Sequence, residues 1–172
     1  MLSAQRQMER LDKGLVVIKN EEQNVFVNWR LFKEDPEDLA FNLYRKNGKY
    51  EVIKVNKEPV QMVTWFQDES FDPNEENTWF VKSLGGNKGS EEKGSFTIAA
   101  LAPTKPFFSI PLTKPEGYTP NDLSVGDLDG DGQYEIIVHQ VGRSRDNFQM
   151  GITDPPIFQA YKLDGTFLWE IN

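Results

Sequence analysis

The sequence predicts an all-β chain in two parts: an antiparallel β-sandwich, then the opening blade of a β-propeller. Three observations predict it. Short stretches of alternating apolar and polar residues recur from residue 14 to residue 101, with polar or glycine-containing turns between them. Aromatic residues make up 12% of the 172-residue chain and include four Trp, a composition that favours strands. A stretch rich in Asp and Gly, GDLDGDGQYEIIV at 126–138, then runs directly into β-branched residues.

In the first part, 25-VFVNWRLF-32 alternates, with Val25, Val27, Trp29 and Leu31 on one face and Asn28 and Arg30 on the other. The run 40-AFNLYR-45 leads into 46-KNGK-49, whose Asn-Gly suits the positive φ angles of a tight hairpin, and 50-YEVIKVN-56 returns. Further strands are expected at 62–66, 78–84 and 96–101, separated by 67-QDESFDPNEEN-77 and 85-GGNKGSEEKG-94. This spacing suggests a sandwich. Trp29, by its spacing, and Trp65 and Trp169, by their alternation with polar neighbours, read as core residues, and Trp79 reads as packing, with exposed stacking on sugar as the alternative for each. A weak helical pattern is confined to residues 3–12.

Five prolines then follow in 102–122, at 103, 106, 111, 115 and 120, so extended and irregular chain is expected, with a short edge strand at 107–110. We place the domain boundary near residue 105, giving domains at 1–105 and 106–172. Beyond it, 135-EIIVHQ-140 reads as a strand and 157-IFQAYKLDGTFLWEI-171 as a hairpin turning at Asp164-Gly165, with Tyr161 and Leu163 facing Phe167 and Trp169. A blade takes roughly 40–50 residues, and a propeller needs about four or more blades. The second part therefore reads as a truncated propeller.

Composition excludes several functions. A formal charge of −8 leaves no basic stripe for nucleic acid. The absence of cysteine removes disulfide scaffolds, thiolate zinc sites and thiol catalysis. No apolar run reaches the ~20 residues of a membrane span. The start, MLSAQRQMERL, lacks the apolar stretch of a signal peptide; Leu2-Ser3-Ala4-Gln5 reads as the stub of one or as an arbitrary beginning.

The acidic stretch carries the chemistry. Asp127, Asp129 and Asp131 alternate, Gly130 and Gly132 permit sharp bends, and Glu135 follows. Such carboxylates converge on a hard cation at about 2.3–2.6 Å, and calcium takes them most readily, whereas magnesium prefers fewer protein ligands and more water. An EF-hand is excluded because its twelfth position holds Val138 instead of a bidentate Glu. The expected ligands of Ca2+ are the side chains of Asp127, Asp129, Asp131 and Glu135 and the backbone carbonyl of Gln133. The alternative is an Asp-Gly turn whose carboxylates cap backbone donors, but three interleaved Asp residues repel one another without a cation.

Six stretches, 9-ERLDKGLVVIK-19, 26-FVNWRL-31, 38-DLAFNLYRKNG-48, 109-SIPLTKP-115, 122-DLSVGDLDGDGQYEIIV-138 and 159-QAYKLDGTFLW-169, resemble in order and spacing the amino-terminal part of polysaccharide lyase family 11, the rhamnogalacturonan lyases of pectin-degrading bacteria. The resemblance implies a fibronectin-III-like domain followed by a many-bladed calcium-binding propeller. It implies β-elimination at the galacturonate–rhamnose bond of rhamnogalacturonan I, in a protein that is secreted, periplasmic or at the bacterial cell surface. It also implies that the catalytic groups lie mostly beyond Asn172, so that this fragment alone is inactive.

Within the chain, 139-HQVGRSRDNFQMG-151 resembles the family loop ending in Asp-Asn. By that match Asn147 is the best candidate for a substrate contact. Gln140 and Phe148 depart from the Trp and Ser that many relatives carry near those positions. Arg143 and Arg145 suit an anionic pectic polysaccharide, with solvated surface side chains as the alternative, and His139 reads as an ordinary strand residue, with binding of a uronate carboxylate as its alternative. A competing class for the whole chain is a non-catalytic, calcium-binding module for glycan binding or adhesion.

Overall fold

The computed structural model describes residues 10–48, 51–85, 94–107, 109–145 and 148–172. These form eleven strands in three antiparallel sheets, and no helix occurs among the described residues. Two compact units emerge, one spanning Asp12–Phe108 and the other containing Ser109–Asn172.

In the first unit, β1 (Val16–Glu21), β2 (Asn24–Asn28) and β5 (Trp65–Asp68) form a three-stranded sheet ordered β1-β2-β5. The second sheet is ordered β4-β3-β6-β7, from β3 (Ala40–Asn47), β4 (Glu51–Lys54), β6 (Asn77–Leu84) and β7 (Ser95–Ile98). Side chains alternate across a strand, so each sheet turns one apolar row toward the other. Val17, Val25, Val27, Phe41, Leu43, Trp79 and Val81 make that shared core, each no more than 2% exposed. Trp29 is buried and meets Phe41 edge to face at 5.4 Å. The expected sandwich is therefore present, and Trp29 and Trp79 are core residues.

Trp65 is not. Val27 pairs with Phe66 and Val25 with Asp68, which turns Phe66 and Asp68 inward and leaves Trp65 on the outer face. It is 45% exposed and stacks on Phe26 with ring centroids 5.6 Å apart. The strand there also starts later than expected, because Met62 has a left-handed φ of 64° that interrupts extended chain.

In the second unit, β8 (Thr119–Gly126), β9 (Glu135–Val141), β10 (Ile157–Tyr161) and β11 (Phe167–Ile171) form a meander ordered β11-β10-β9-β8. The hairpin at Asp164-Gly165 forms as expected, with Gly165 at φ 90°. Its register differs, since a bulge pairs Tyr161 with Phe167 and Ala160 with Trp169, leaving Leu163 in the turn. Trp169 is only half-buried.

A polar row crosses this sheet. Gln140 Nε2 donates to Gln159 Oε1 at 2.9 Å, Gln159 Nε2 to Glu170 Oε2 at 2.8 Å, and the Tyr161 hydroxyl to Gln159 Oε1 at 3.0 Å. The edge strand expected at 107–110 is absent at 107, 109 and 110, while Phe108 lies outside the described residues. The helical pattern at 3–12 lies mostly outside them too, and residues 10–12 are not helical.

Candidate metal centre

The loop 127–134 joins β8 to β9, and its shape follows from its own carboxylates. Asp127 accepts hydrogen bonds from Gly130 N at 2.8 Å on Oδ1 and from Gly132 N at 3.1 Å on Oδ2. Asp129 accepts from Asp131 N at 3.1 Å, and Asp131 from Gln133 N at 2.8 Å. These are Asx-type turns, in which the side chain satisfies backbone donors two or more residues on. Two of the donors belong to glycines with left-handed backbone, Gly130 at φ 79° and Gly132 at φ 92°, a conformation glycine adopts without penalty.

The fold brings Asp127, Asp129 and Glu135 together, with one carboxylate oxygen of each within 4.8 Å of the others. Oxygens that far apart can share a sphere of about 2.4 Å radius, the calcium–oxygen distance. Hard carboxylate donors alone make up the set, which also fits calcium. Glu135 is 1% exposed, its Oε2 accepts from Leu128 N at 2.7 Å, and no described lysine or arginine pairs with it. A buried carboxylate without a positive partner is costly, so a cation at this point would offset a real penalty.

Asp131 is not in that group. Its Oδ2 accepts from Lys162 Nζ at 2.9 Å, and the same Nζ stands 2.5 Å from Asp129 Oδ2. The Lys162 hydrogen bond, helped by Gln133 N, holds the Asp131 carboxyl below its ordinary value. Asp129 and Asp131 in turn raise the Lys162 ammonium above its own. Asp131, Gln133, Glu135 and Lys162 also line a cavity of about 260 Å³. Of the five residues proposed as ligands, three converge and the other two line the adjoining cavity.

Lys162 was missed from the sequence. It sits in the β10–β11 hairpin, far along the chain from the loop, and no local spacing links the two. The one available signal is its place beside Asp164-Gly165, which fixes it at a turn.

The residues expected to meet substrate are less assembled. Arg143 is committed to Asp154, its N donating at 2.6 Å to Oδ2 and its Nη2 at 3.2 Å to Oδ1. Arg145 lies against Gly151, where an added Cβ would come within 2.5 Å of Nε. Asn147 lies outside the described residues. His139 is a half-buried strand residue stacked on Phe158 at 4.8 Å. Gln140 is fully buried in the polar row, whereas Phe148 is exposed. Among the described residues no helix is long and apolar enough to cross a membrane.

Comparison with known proteins places this geometry in context. Residues 6–99 match the family described as rhamnogalacturonan I lyases beta-sheet domain, and residues 109–172 match rhamnogalacturonan lyase family 11, C-terminal domain. The chain is 40% identical to rhamnogalacturonan exolyase YesX of Bacillus subtilis (strain 168) over 183 aligned residues, covering 100% of this chain and 28% of that protein. It is 37% identical to rhamnogalacturonan endolyase YesW of the same organism over 180 aligned residues, covering 98% of this chain and 27% of that protein. The chain thus spans little more than a quarter of the length of these curated relatives. With both of its units matched in order, the chain belongs to the family 11 rhamnogalacturonan lyases.

Proposed function

We propose that the chain is the N-terminal part of a rhamnogalacturonan lyase that cleaves the galacturonate–rhamnose bond of rhamnogalacturonan I by β-elimination. The observation that carries this is the consecutive correspondence of 6–99 and 109–172 to the two parts of one lyase family. The reaction removes the proton α to the uronate carboxylate and expels the glycosidic oxygen, leaving an unsaturated sugar. It therefore needs a base, a donor for the leaving oxygen, and positive charge at the carboxylate.

The first unit is fibronectin-III-like in this reading, and its sheets ordered β1-β2-β5 and β4-β3-β6-β7 support that assignment. The four-stranded meander of the second unit is a propeller blade. The remaining blades, and most of the cleft, belong to sequence outside these residues. Asp127, Asp129 and Glu135, joined by Asp131 and the Gln133 carbonyl, would hold a calcium ion at this loop. When bound, it supplies positive charge that holds the β8–β9 connection in one shape. Arg143, Arg145 and Asn147 contribute positive charge and hydrogen bonding to an anionic pectic chain. The protein acts outside the cytoplasm, as secreted, periplasmic or cell-surface enzyme, because a pectic polymer is met there.

The test is to express the chain with the rest of its coding sequence and follow ultraviolet absorbance of unsaturated uronate on rhamnogalacturonan I. Activity that disappears with chelator is expected, and residues 1–172 alone should be inactive. Absence of activity on that polymer overturns the substrate, and activity unaffected by chelator overturns the calcium role.

A further inference from the structure

We propose that Lys162 is a built-in counter-cation of the 127–135 loop, one that gives up Asp129 and Asp131 when calcium binds and so sets the calcium affinity. The proposal rests on the calcium reading above and adds the residue that regulates it. Three features of the geometry carry it.

Lys162 Nζ contacts Asp129 Oδ2 at 2.5 Å and Asp131 Oδ2 at 2.9 Å, so a single ammonium serves two of the four loop carboxylates. Asp129 belongs to the converging trio with Asp127 and Glu135. Asp131 does not, and its carboxylate is held by the lysine beside the cavity that Gln133 and Glu135 also line. The Oδ2 atoms of Asp129 and Asp131 carry the ammonium and their Oδ1 atoms accept from Asp131 N and Gln133 N, so a cation drawing on both carboxylates competes with the lysine for them.

The sign follows from electrostatics. In the metal-free loop Lys162 relieves repulsion among clustered carboxylates and so stabilises the unbound state. In the bound state it is either displaced or left beside a divalent ion of like sign. Each effect weakens calcium binding relative to a neutral side chain of the same length. The position of Lys162 does not depend on the loop, because its N donates to Thr166 O at 2.8 Å and its O accepts from Gly165 N at 3.0 Å within the β10–β11 hairpin. Replacing its charge should therefore leave the hairpin intact.

Calorimetric titration of residues 1–172 with calcium chloride, combined with thermal melts in calcium and in chelator, tests the idea in the chain itself. Lys162→Met is expected to bind calcium at least tenfold more tightly, to melt lower than the parent in chelator, and to show a wider gap between the two melts. Lys162→Arg, which keeps the charge, should stay within about threefold of the parent affinity.

Equal calcium affinity of the parent and Lys162→Met overturns the role of Lys162 while the calcium site stands. Weaker binding by Lys162→Met also overturns it, and makes the lysine a brace. If neither binds calcium, the calcium reading itself falls and this proposal falls with it. A Lys162→Met chain that fails to fold in calcium as well as in chelator overturns the claim that calcium replaces the lysine.

Discussion

Asp68, on β5 of the three-stranded sheet, accepts a hydrogen bond of 2.9 Å from Nε1 of Trp79, on β6 of the opposite sheet. The same Oδ2 takes a hydrogen bond from Arg45 Nη1 on β3. Oδ1 accepts from the Ser70 hydroxyl at 2.7 Å and from Ser70 N at 2.9 Å. One buried carboxylate thus ties the two sheets together. Asp68 is 1% and Arg45 3% exposed, so neither charge has water to fall back on.

Asp68→Ala is expected to lower the unfolding free energy by about 3–5 kcal/mol, because it leaves the Arg45 guanidinium buried and unpaired. Urea unfolding of the parent and variant measures it. A loss below about 1 kcal/mol would mean that Arg45 finds another partner or reaches solvent.

Acid sensitivity should come from the same residue. Burial pushes the Asp68 carboxyl up, but hydrogen bonds from Ser70 and Trp79 and the Arg45 charge outweigh it and hold the carboxyl below its ordinary value. A lowered folded value stabilises the protein above the unfolded pKa of about 3.9, and that contribution is lost as pH falls through the folded value. Thermal melts from neutral pH downward should therefore fall below pH 4 more steeply for the parent than for Asp68→Asn. Parallel curves would assign the acid loss to other carboxylates.

Calcium should raise the melting temperature of the chain, since a ligand bound only by the folded state stabilises it by about 2.7 kcal/mol at 100 times its Kd. Glu135→Gln is expected to remove most of that rise, because the carboxylate it neutralises is buried and faces Asp127 and Asp129. Melts with and without calcium for both chains decide it. An unchanged calcium shift in Glu135→Gln would remove Glu135 from the ligand set.

Two of the three tryptophans of the sandwich, Trp79 and Trp65, should differ sharply. Trp79→Ala empties a fully buried position and breaks the bond to Asp68, so a loss of about 3–5 kcal/mol or complete unfolding is expected. Trp65→Ala uncovers only the outer face beside Phe26 and should cost about 1 kcal/mol, in line with aromatic-pair energies. Comparable losses in urea unfolding would contradict the exposure of Trp65.

At the tip of the β10–β11 hairpin, Gly165→Ala should destabilise by about 1 kcal/mol or more. Its φ of 90° disfavours any side chain, and an added Cβ would stand 3.0 Å from Pro111 Cδ. Chemical unfolding of the variant is the check, and an unchanged midpoint would show that the turn relaxes at no cost.

Sequence pattern was a good guide wherever a strand alternates and has turn residues at its ends, as at β3, β6 and the β10–β11 hairpin. It was a poor guide to β8, which the cluster of prolines from Pro103 to Pro120 concealed. Pro120 is tolerated because β8 is hydrogen-bonded only to β9 and lies at the edge of its sheet, where a missing donor breaks no second ladder. The run at 107–110 looks at least as strand-like, yet its described residues Phe107, Ser109 and Ile110 belong to no strand. At the acidic loop the spacing of Asp127, Asp129 and Asp131 pointed to a cation site between strands, and Val138 excluded the helical alternative.

The sequence by itself determined the all-β class, the alternating core of the first unit, the turn at Asp164-Gly165 and the clustering of carboxylates between two strands, because each depends on residues close together in the chain. Tertiary structure alone decided that Trp65 faces out, that Asp68 joins two sheets, and that Lys162 pairs with Asp129 and Asp131 while only Asp129 converges with Asp127 and Glu135. Those outcomes depend on strand register and on contacts between distant segments. A shift of one residue in register exchanges the faces of a strand without altering its pattern.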